Sequence, residues 1–314
     1  MSNQLNILVT GGAGFIGSAL VNKLINNKST VTVIDNLSTG YLSNISKQAT
    51  FIEGDASDEL ILHRLKDQVF DVILHLAGQS SADISFDDPV YDLNCNVTTT
   101  LRLLDYAVRT NCKRFVYASS MSVYGERSNQ EKYSEQDIVS PKSFYAVGKF
   151  ASENYMKIYH QQYGIDFTGL RYFNVYGPGQ NLNNLRQGMV SIYLKQFIDD
   201  LYSAVEVKGS TKRFRDLIYI DDVVNITIES INNKNFYNDV INIGTGTKTT
   251  IDTILSMLKK LLKSNKEIVF SEGTPGDQFG IYADVTKLKE IYPKKLINFE
   301  KGLKQMVASI DYEM

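Results

Sequence analysis

The sequence predicts an α/β fold, a doubly wound parallel sheet with helices on both faces followed by a smaller C-terminal α/β portion. Three observations carry this expectation. Short runs rich in Val and Ile alternate with helix-length segments, a glycine-rich turn GGAGFIG follows the first run, and beyond Gly177 the pattern becomes irregular and rich in Gly, Pro and Asn. Strands covered on both faces read as near-continuous apolar runs, and their alternation with helices argues for parallel pairing.

Taken in order, the runs predict strands at residues 5–10, 31–35, 50–53, 71–75 and 114–119, with a helix opening at Phe15. Helices are expected over 88–110 and 143–163, a strand over 166–170, a helix over 190–201, a strand around Val205 and a helix from Asp221. A boundary near Gly177 divides the chain into residues 1–176 and 177–314, with crossings back allowed. The second portion is expected to form the other wall of a cleft.

Composition narrows the function classes. A net charge of -2 offers no basic footprint for nucleic acid. No apolar run is long enough to span a bilayer, and the opening MSNQLNILVTGG enters a strand without a secretion signal, so a cytoplasmic protein is expected. Cys95 and Cys112 are unpatterned thiols, and His63, His75 and His160 are too scattered for a metal site.

Gly11, Gly14 and Gly17 lie between the first strand and the first helix, the context in which glycines let a backbone approach a diphosphate at a helix N-terminus. Asp35 closes the second strand, where a carboxylate accepts from a ribose 2′-hydroxyl and repels a 2′-phosphate. Asn36, Leu37 and Ser38 bring no arginine, so the Rossmann-type half is expected to bind NAD rather than NADP. Asp55, in GDASD, is placed to contact adenine and reads equally well as a helix N-cap.

Tyr145 and Lys149, in SFYAVGK, are four residues apart and share a helix face. Tyrosine ionises near pH ~10, and an adjacent ammonium favours the phenolate, so the pair is expected to yield a base for removing a proton as hydride departs. A Tyr and a Lys on an ordinary helix are the plain alternative.

Seven motifs in this order, GGAGFIG, HLAGQSS, NCNVTTT, YASSMSVYG, YAVGK, RYFNVYGPGQ and RFRDLIYIDDV, make the sequence resemble the extended short-chain dehydrogenase/reductase family, which contains nucleotide-sugar epimerases, dehydratases and reductases. The resemblance covers nearly the whole chain. It implies that Tyr145 takes the proton of a sugar hydroxyl, that Lys149 holds the nicotinamide ribose and lowers the tyrosine pKa, and that Ser120 bonds the same sugar oxygen with help from Ser122. It also implies NAD contacts from Phe15, Ile16, Asn36, Asp55, Ala56, Leu76, Ala77, Gly78, Asn96 and Tyr172 beside the glycines and Asp35.

For the substrate, the resemblance implies that Asn174 and Arg215 hold a nucleoside diphosphate, with Arg186, Val190 and Asp277 as further candidates. A guanidinium offers phosphate a fixed fork of donors; a surface ion pair of Arg215 with Asp216 or Asp221 is the plain alternative. Dehydratases of the family carry an Asp-Glu pair where this chain has Met121 and Ser122, and decarboxylases need a glutamate near there, so both activities are disfavoured. Thr274 stands where many epimerases have a diphosphate-gripping arginine, and Ile281 occupies a position that gates sugar size.

The leading expectation is a nucleotide-sugar 4-epimerase of UDP-hexose type. The alternative is a 4-ketoreductase acting on a dTDP-4-keto-6-deoxy sugar with NADH or NADPH from solution, and a catalytically silent dinucleotide-sensing regulator is a third reading. The resemblance further implies a homodimer formed through the helices at 88–110 and 143–163.

Overall fold

The computed structural model describes residues 4–66, 68–127, 131–273 and 279–310. Two compact units emerge, and the chain passes between them more than once. The first comprises Met1–Gly125, Ile138–Tyr172 and Val224–Ile241; the second comprises Glu126–Asp137, Phe173–Val223 and Asn242–Met314.

A seven-stranded sheet dominates the first unit. Its strands are β1 (Asn6–Thr10), β2 (Thr30–Asp35), β3 (Thr50–Glu53), β4 (Val72–His75), β5 (Arg114–Ser120), β6 (Asp166–Tyr172) and, at the edge, the Asp239–Ile243 strand. The spatial order is Asp239–Ile243, β6, β5, β4, β1, β2, β3, and each pair from β6 to β3 is parallel. The order reverses beside β1, so the ends of β1 and β4 open on a crevice, as in doubly wound folds that bind a ligand there. Every residue of β4 is buried, and Leu8, Ile34, Ile73, Phe115 and Phe167 carry the core against the helices. That continuous apolarity is why these runs were legible as covered strands.

Two helices shape the site. Phe144–Tyr163 begins where the Ser143 hydroxyl accepts from Ala146 N at 3.2 Å, and it stops at Gly164, whose φ of 67° only glycine adopts without strain. The other, expected as one helix over 88–110, is interrupted. Asp88 caps Pro89–Leu93, a π-turn occupies Asn94–Thr98, and α-helix resumes over Thr99–Arg109. Side chains stabilise the wider turn: Thr99 Oγ1 donates to Asn94 O at 3.0 Å, and Asn96 O accepts from Thr100 Oγ1 at 2.6 Å and Ser152 Oγ at 3.2 Å. Such single π-turns commonly mark functional positions, and this one contains Asn96.

In the second unit, Asn174–Tyr176 pairs in parallel with Leu217–Tyr219, Ala204–Lys208 with Glu267–Ser271, and Phe214–Arg215 lies between Thr249–Thr250 and Gly280–Ile281. Asp216 is their hub. Its carboxylate accepts from Thr245 N at 2.8 Å, Thr245 Oγ1 at 2.6 Å, Gly246 N at 2.8 Å and Ala283 N at 3.1 Å. Among the described residues, no helix is long and apolar enough to cross a membrane.

Candidate active site

The glycine turn is shaped by close backbone packing. A Cβ on Gly11 would lie 2.6 Å from Ala77 N and 2.8 Å from Leu76 C, and one on Gly17 would lie 2.0 Å from Gly11 O. Gly14 differs, because its nearest neighbour would be Gly11 O at 3.5 Å. The chain itself does not require a glycine there; the missing side chain leaves room in front of the helix. Gly14 is the N-cap of the Phe15–Asn26 helix, with no side-chain cap and no acidic residue in the first turn. The first N–H groups, at Phe15, Ile16 and Gly17, are thus presented for an anion.

Asp35, 9 % exposed at the end of β2, accepts from Ala13 N and Leu37 N, both at 2.8 Å. It braces the turn while each oxygen keeps a lone pair for a ribose hydroxyl. Asn36 Nδ2 reaches Asp55 Oδ2 at 3.4 Å, and Asp55 Oδ1 accepts from Ser57 N at 2.7 Å. The N-cap of the next helix is Asp58, so the capping alternative for Asp55 gives way to a local turn. Ala56 is buried, and the Tyr172 hydroxyl pairs with Thr227 Oγ1 at 2.8 Å.

Around the end of β5 the structure brings Ser120, Tyr145, Lys149, Asn96 and Gly78 together. Lys149 is 4 % exposed; its ammonium donates to Ala118 O at 3.0 Å and lies 4.8 Å from the Tyr117 ring centroid and 5.7 Å from that of Tyr145. Asn96 is fully buried, its Nδ2 donating to Gln79 O at 3.0 Å and Asp92 Oδ1 at 3.1 Å. Because both partners only accept, the amide orientation is fixed, and its Oδ1 is left without a hydrogen bond. A Cβ on Gly78 would lie 2.5 Å from that Oδ1 and 3.5 Å from Lys149 Nζ. An acceptor lacking a donor and an ammonium with donors to spare therefore both lie beside Gly78. A pair of sugar hydroxyls, each able to donate and accept, satisfies both. With the open N-terminus at Gly14 and the carboxylate at Asp35, these residues fit NAD.

The expected lowering of the Tyr145 pKa does not appear. Burial pushes the phenol up to about 12, the Ser120 hydroxyl counteracts it and Asp92 adds to it. Desolvation is the largest effect on this enclosed phenol, with the Lys149 ammonium 5.7 Å from the ring centroid. Burial also lowers Lys149 to about 8, against the pull of Asp92 and Glu153. Ser122 Oγ donates to Ser120 Oγ at 2.9 Å, which orients the serine hydroxyl.

In the second unit, Asn174 Oδ1 is buried without a partner, and Arg215, 7 % exposed, donates to Phe214 O at 2.9 Å. Asp216 is directed to Thr245, Gly246 and Ala283. Val190 is buried near the start of Met189–Ile198, Arg186 is exposed, and Ile281 is buried opposite Arg215 in the small sheet. Thr274 and Asp277 lie outside the described residues.

Four residues near the site escaped the sequence reading. Gln79 Nε2 donates to Asp92 Oδ1 at 2.8 Å, and Glu153 and Arg171, 0 % and 2 % exposed, are joined at 2.7 Å and 2.9 Å. Helical spacing was the available signal for two of them, since Asp92 precedes Asn96 by four residues and Glu153 follows Lys149 by four.

A model of the NAD-dependent epimerase/dehydratase family matches residues 7–244. A Thermotoga maritima UDP-glucose 4-epimerase solved with UDP-glucose is 35 % identical, with a TM-score of 0.92 over 97 % of this chain and 98 % of that one. A Methanobrevibacter ruminantium UDP-N-acetylglucosamine 4-epimerase is 32 % identical, with a TM-score of 0.91 over 99 % of each chain. UDP-glucuronic acid decarboxylase 6 of Arabidopsis thaliana is 33 % identical over 92 % of this chain and 83 % of its own.

Proposed function

The chain belongs to the NAD-dependent epimerase/dehydratase family, and from that premise we propose that it is a UDP-sugar 4-epimerase. The observation that carries the reading is the joint placement of Ser120, Tyr145 and Lys149 beside Gly78 and the unsatisfied Asn96 acceptor. When bound, NAD supplies a reversible two-electron acceptor for the sugar C4. Tyr145 accepts the C4 hydroxyl proton and later returns it, Ser120 holds the C4 oxygen, and Lys149 fixes the cofactor ribose. In the cofactor-free chain burial holds the Tyr145 phenol near 12, so it is protonated there at neutral pH.

The first unit holds the cofactor and the proton-transfer groups in this reading, and the family resemblance assigns the diphosphate to Asn174 and Arg215. Met121 and Ser122 provide neither the acid-base pair of a dehydratase nor the glutamate of a decarboxylase, which favours epimerisation over the activity named for the Arabidopsis relative. The protein pairs with a second copy through the helical stretches 88–110 and 143–163, which expose Val90, Leu93, Phe144 and Val147. Sedimentation at working concentration tests the pairing; a clean monomer contradicts it.

The test of function is incubation with UDP-glucose or UDP-N-acetylglucosamine without added dinucleotide. Appearance of the 4-epimer supports the proposal. Turnover that requires added NADH and consumes it stoichiometrically makes the protein a ketoreductase.

A further inference from the structure

The Asp92 carboxylate, 1 % exposed, has a role in none of the steps above. Its hydrogen-bond partners are the Gln79 and Asn96 amides, at 2.8 Å and 3.1 Å, and both are neutral. An ionised carboxylate sealed from water costs several kcal/mol unless a cation compensates it, and amides supply dipoles rather than charge. The cation is Lys149. Asp92 is the larger of the two carboxylates acting to keep that ammonium protonated; burial raises the Asp92 carboxyl above its ordinary value, and Gln79, Lys149 and Asn96 pull it back down. The Lys149 helix approaches the Asp92 helix closely at Gly148, where a Cβ would lie 3.3 Å from Asn96 Cβ and 3.7 Å from Asp92 Oδ2.

The other groups facing Lys149 do not replace this charge. Glu153, on the same helix, is committed to Arg171 through two charge-assisted bonds and accepts from Ser119 Oγ as well. His75 on β4 is kept neutral by burial and by Lys149 itself. Tyr117 on β5 and Tyr145 on the Lys149 helix are held protonated by burial. Of the two described carboxylates that act on Lys149, Asp92 is therefore the one that Arg171 does not already satisfy.

We propose that Asp92 is a positioning residue of the cofactor site: it fixes the Asn96 amide and supplies the counter-charge of Lys149, so that both groups face the cofactor's ribose hydroxyls in the required state. The Gln79 bond makes Asp92 a single rigid partner for both. This inference rests on the NAD site and is independent of which sugar is turned over.

The experiment is equilibrium dialysis of the full chain against NAD over a pH series, for wild type, Asp92→Asn and Asp92→Glu, with circular dichroism and melting of each. Wild type is expected to lose affinity as pH rises past about 8, where Lys149 gives up its proton. In Asp92→Asn the loss should begin at lower pH, so that NAD binding at pH 8 falls below that of wild type. Asp92→Glu keeps the charge and should move the midpoint back towards wild type. An unchanged midpoint in Asp92→Asn overturns the proposal. So does a loss that is equal at every pH, or a loss that tracks a collapsed fold while Asp92→Glu titrates no differently, since either makes Asp92 merely structural. Wild type that binds no NAD at any pH overturns the cofactor site itself.

Discussion

Replacing Gly17 with alanine tests the glycine turn by steric means alone. The new Cβ would sit 2.0 Å from Gly11 O, 2.8 Å from Gly12 Cα and 2.9 Å from Gly11 C, all backbone atoms that no rotamer change can move aside. Ordinary contact requires a retreat of roughly 1.5 Å. The turn cannot retreat towards β4, because Gly11 already packs against Ala77 N and Leu76 C within 2.8 Å of where its own Cβ would be. The helix start must therefore move, carrying the N–H groups that face the diphosphate. Overpacking of this kind costs about 1–3 kcal/mol, which as lost binding energy is about 5–150-fold in NAD affinity. Gly164→Ala is the matched control. It strains a φ of 67° at a cost of about 1–2 kcal/mol, yet nothing lies within 4 Å of the added methyl. Dialysis against NAD together with thermal melting should show both variants destabilised and only Gly17→Ala impaired in binding. Wild-type affinity in Gly17→Ala, or an equal loss in Gly164→Ala, would refute the reasoning.

Tyr145→Phe should reduce turnover by at least about 100-fold, the scale of general acid-base catalysis, while NAD affinity stays near wild type in dialysis. The pH response follows from Lys149, whose folded pKa of about 8 lies below its ordinary 10.5: between these values the unfolded chain holds more protons at this group, so its contribution to the stability of the cofactor-free protein rises with pH. Cofactor binding runs the other way, and the increase in melting temperature produced by NAD should shrink as pH climbs through about 8. Glu153→Leu leaves the Arg171 guanidinium buried without its partner and should cost about 3–5 kcal/mol, whereas Glu153→Leu combined with Arg171→Met should recover most of that loss. Denaturant melts of the cycle check this, and additive losses would contradict it.

The strands and the glycine turn were legible because their signals are local: apolar runs a few residues long, and glycines at a spacing that only a tight turn uses. The Tyr145–Lys149 pair was legible for the same reason, both residues lying on one helix face. Partners that arrive from other segments leave no such trace. Arg171 meets Glu153 from a separate strand, and Gln79 meets Asp92 across a turn and two short helices. The π-turn at Asn94–Thr98 was invisible because it is set by side chains returning to the backbone, Thr99 to Asn94 and Ser152 to Asn96, within a stretch whose periodicity still reads as helix. The direction of the Tyr145 shift went the other way because sequence proximity reports a neighbouring charge but not the depth of burial, and depth wins here.

The most direct measurement of the central claim is proton NMR of UDP-glucose incubated with the purified protein and no added dinucleotide. Transfer of protonation and electrons within one closed site predicts a mixture of the sugar and its C4 epimer, approached from either side, with no net consumption of cofactor. A sugar that remains unchanged in this experiment and in the same one with UDP-N-acetylglucosamine, while added NADH is oxidised against a 4-keto sugar, would contradict it.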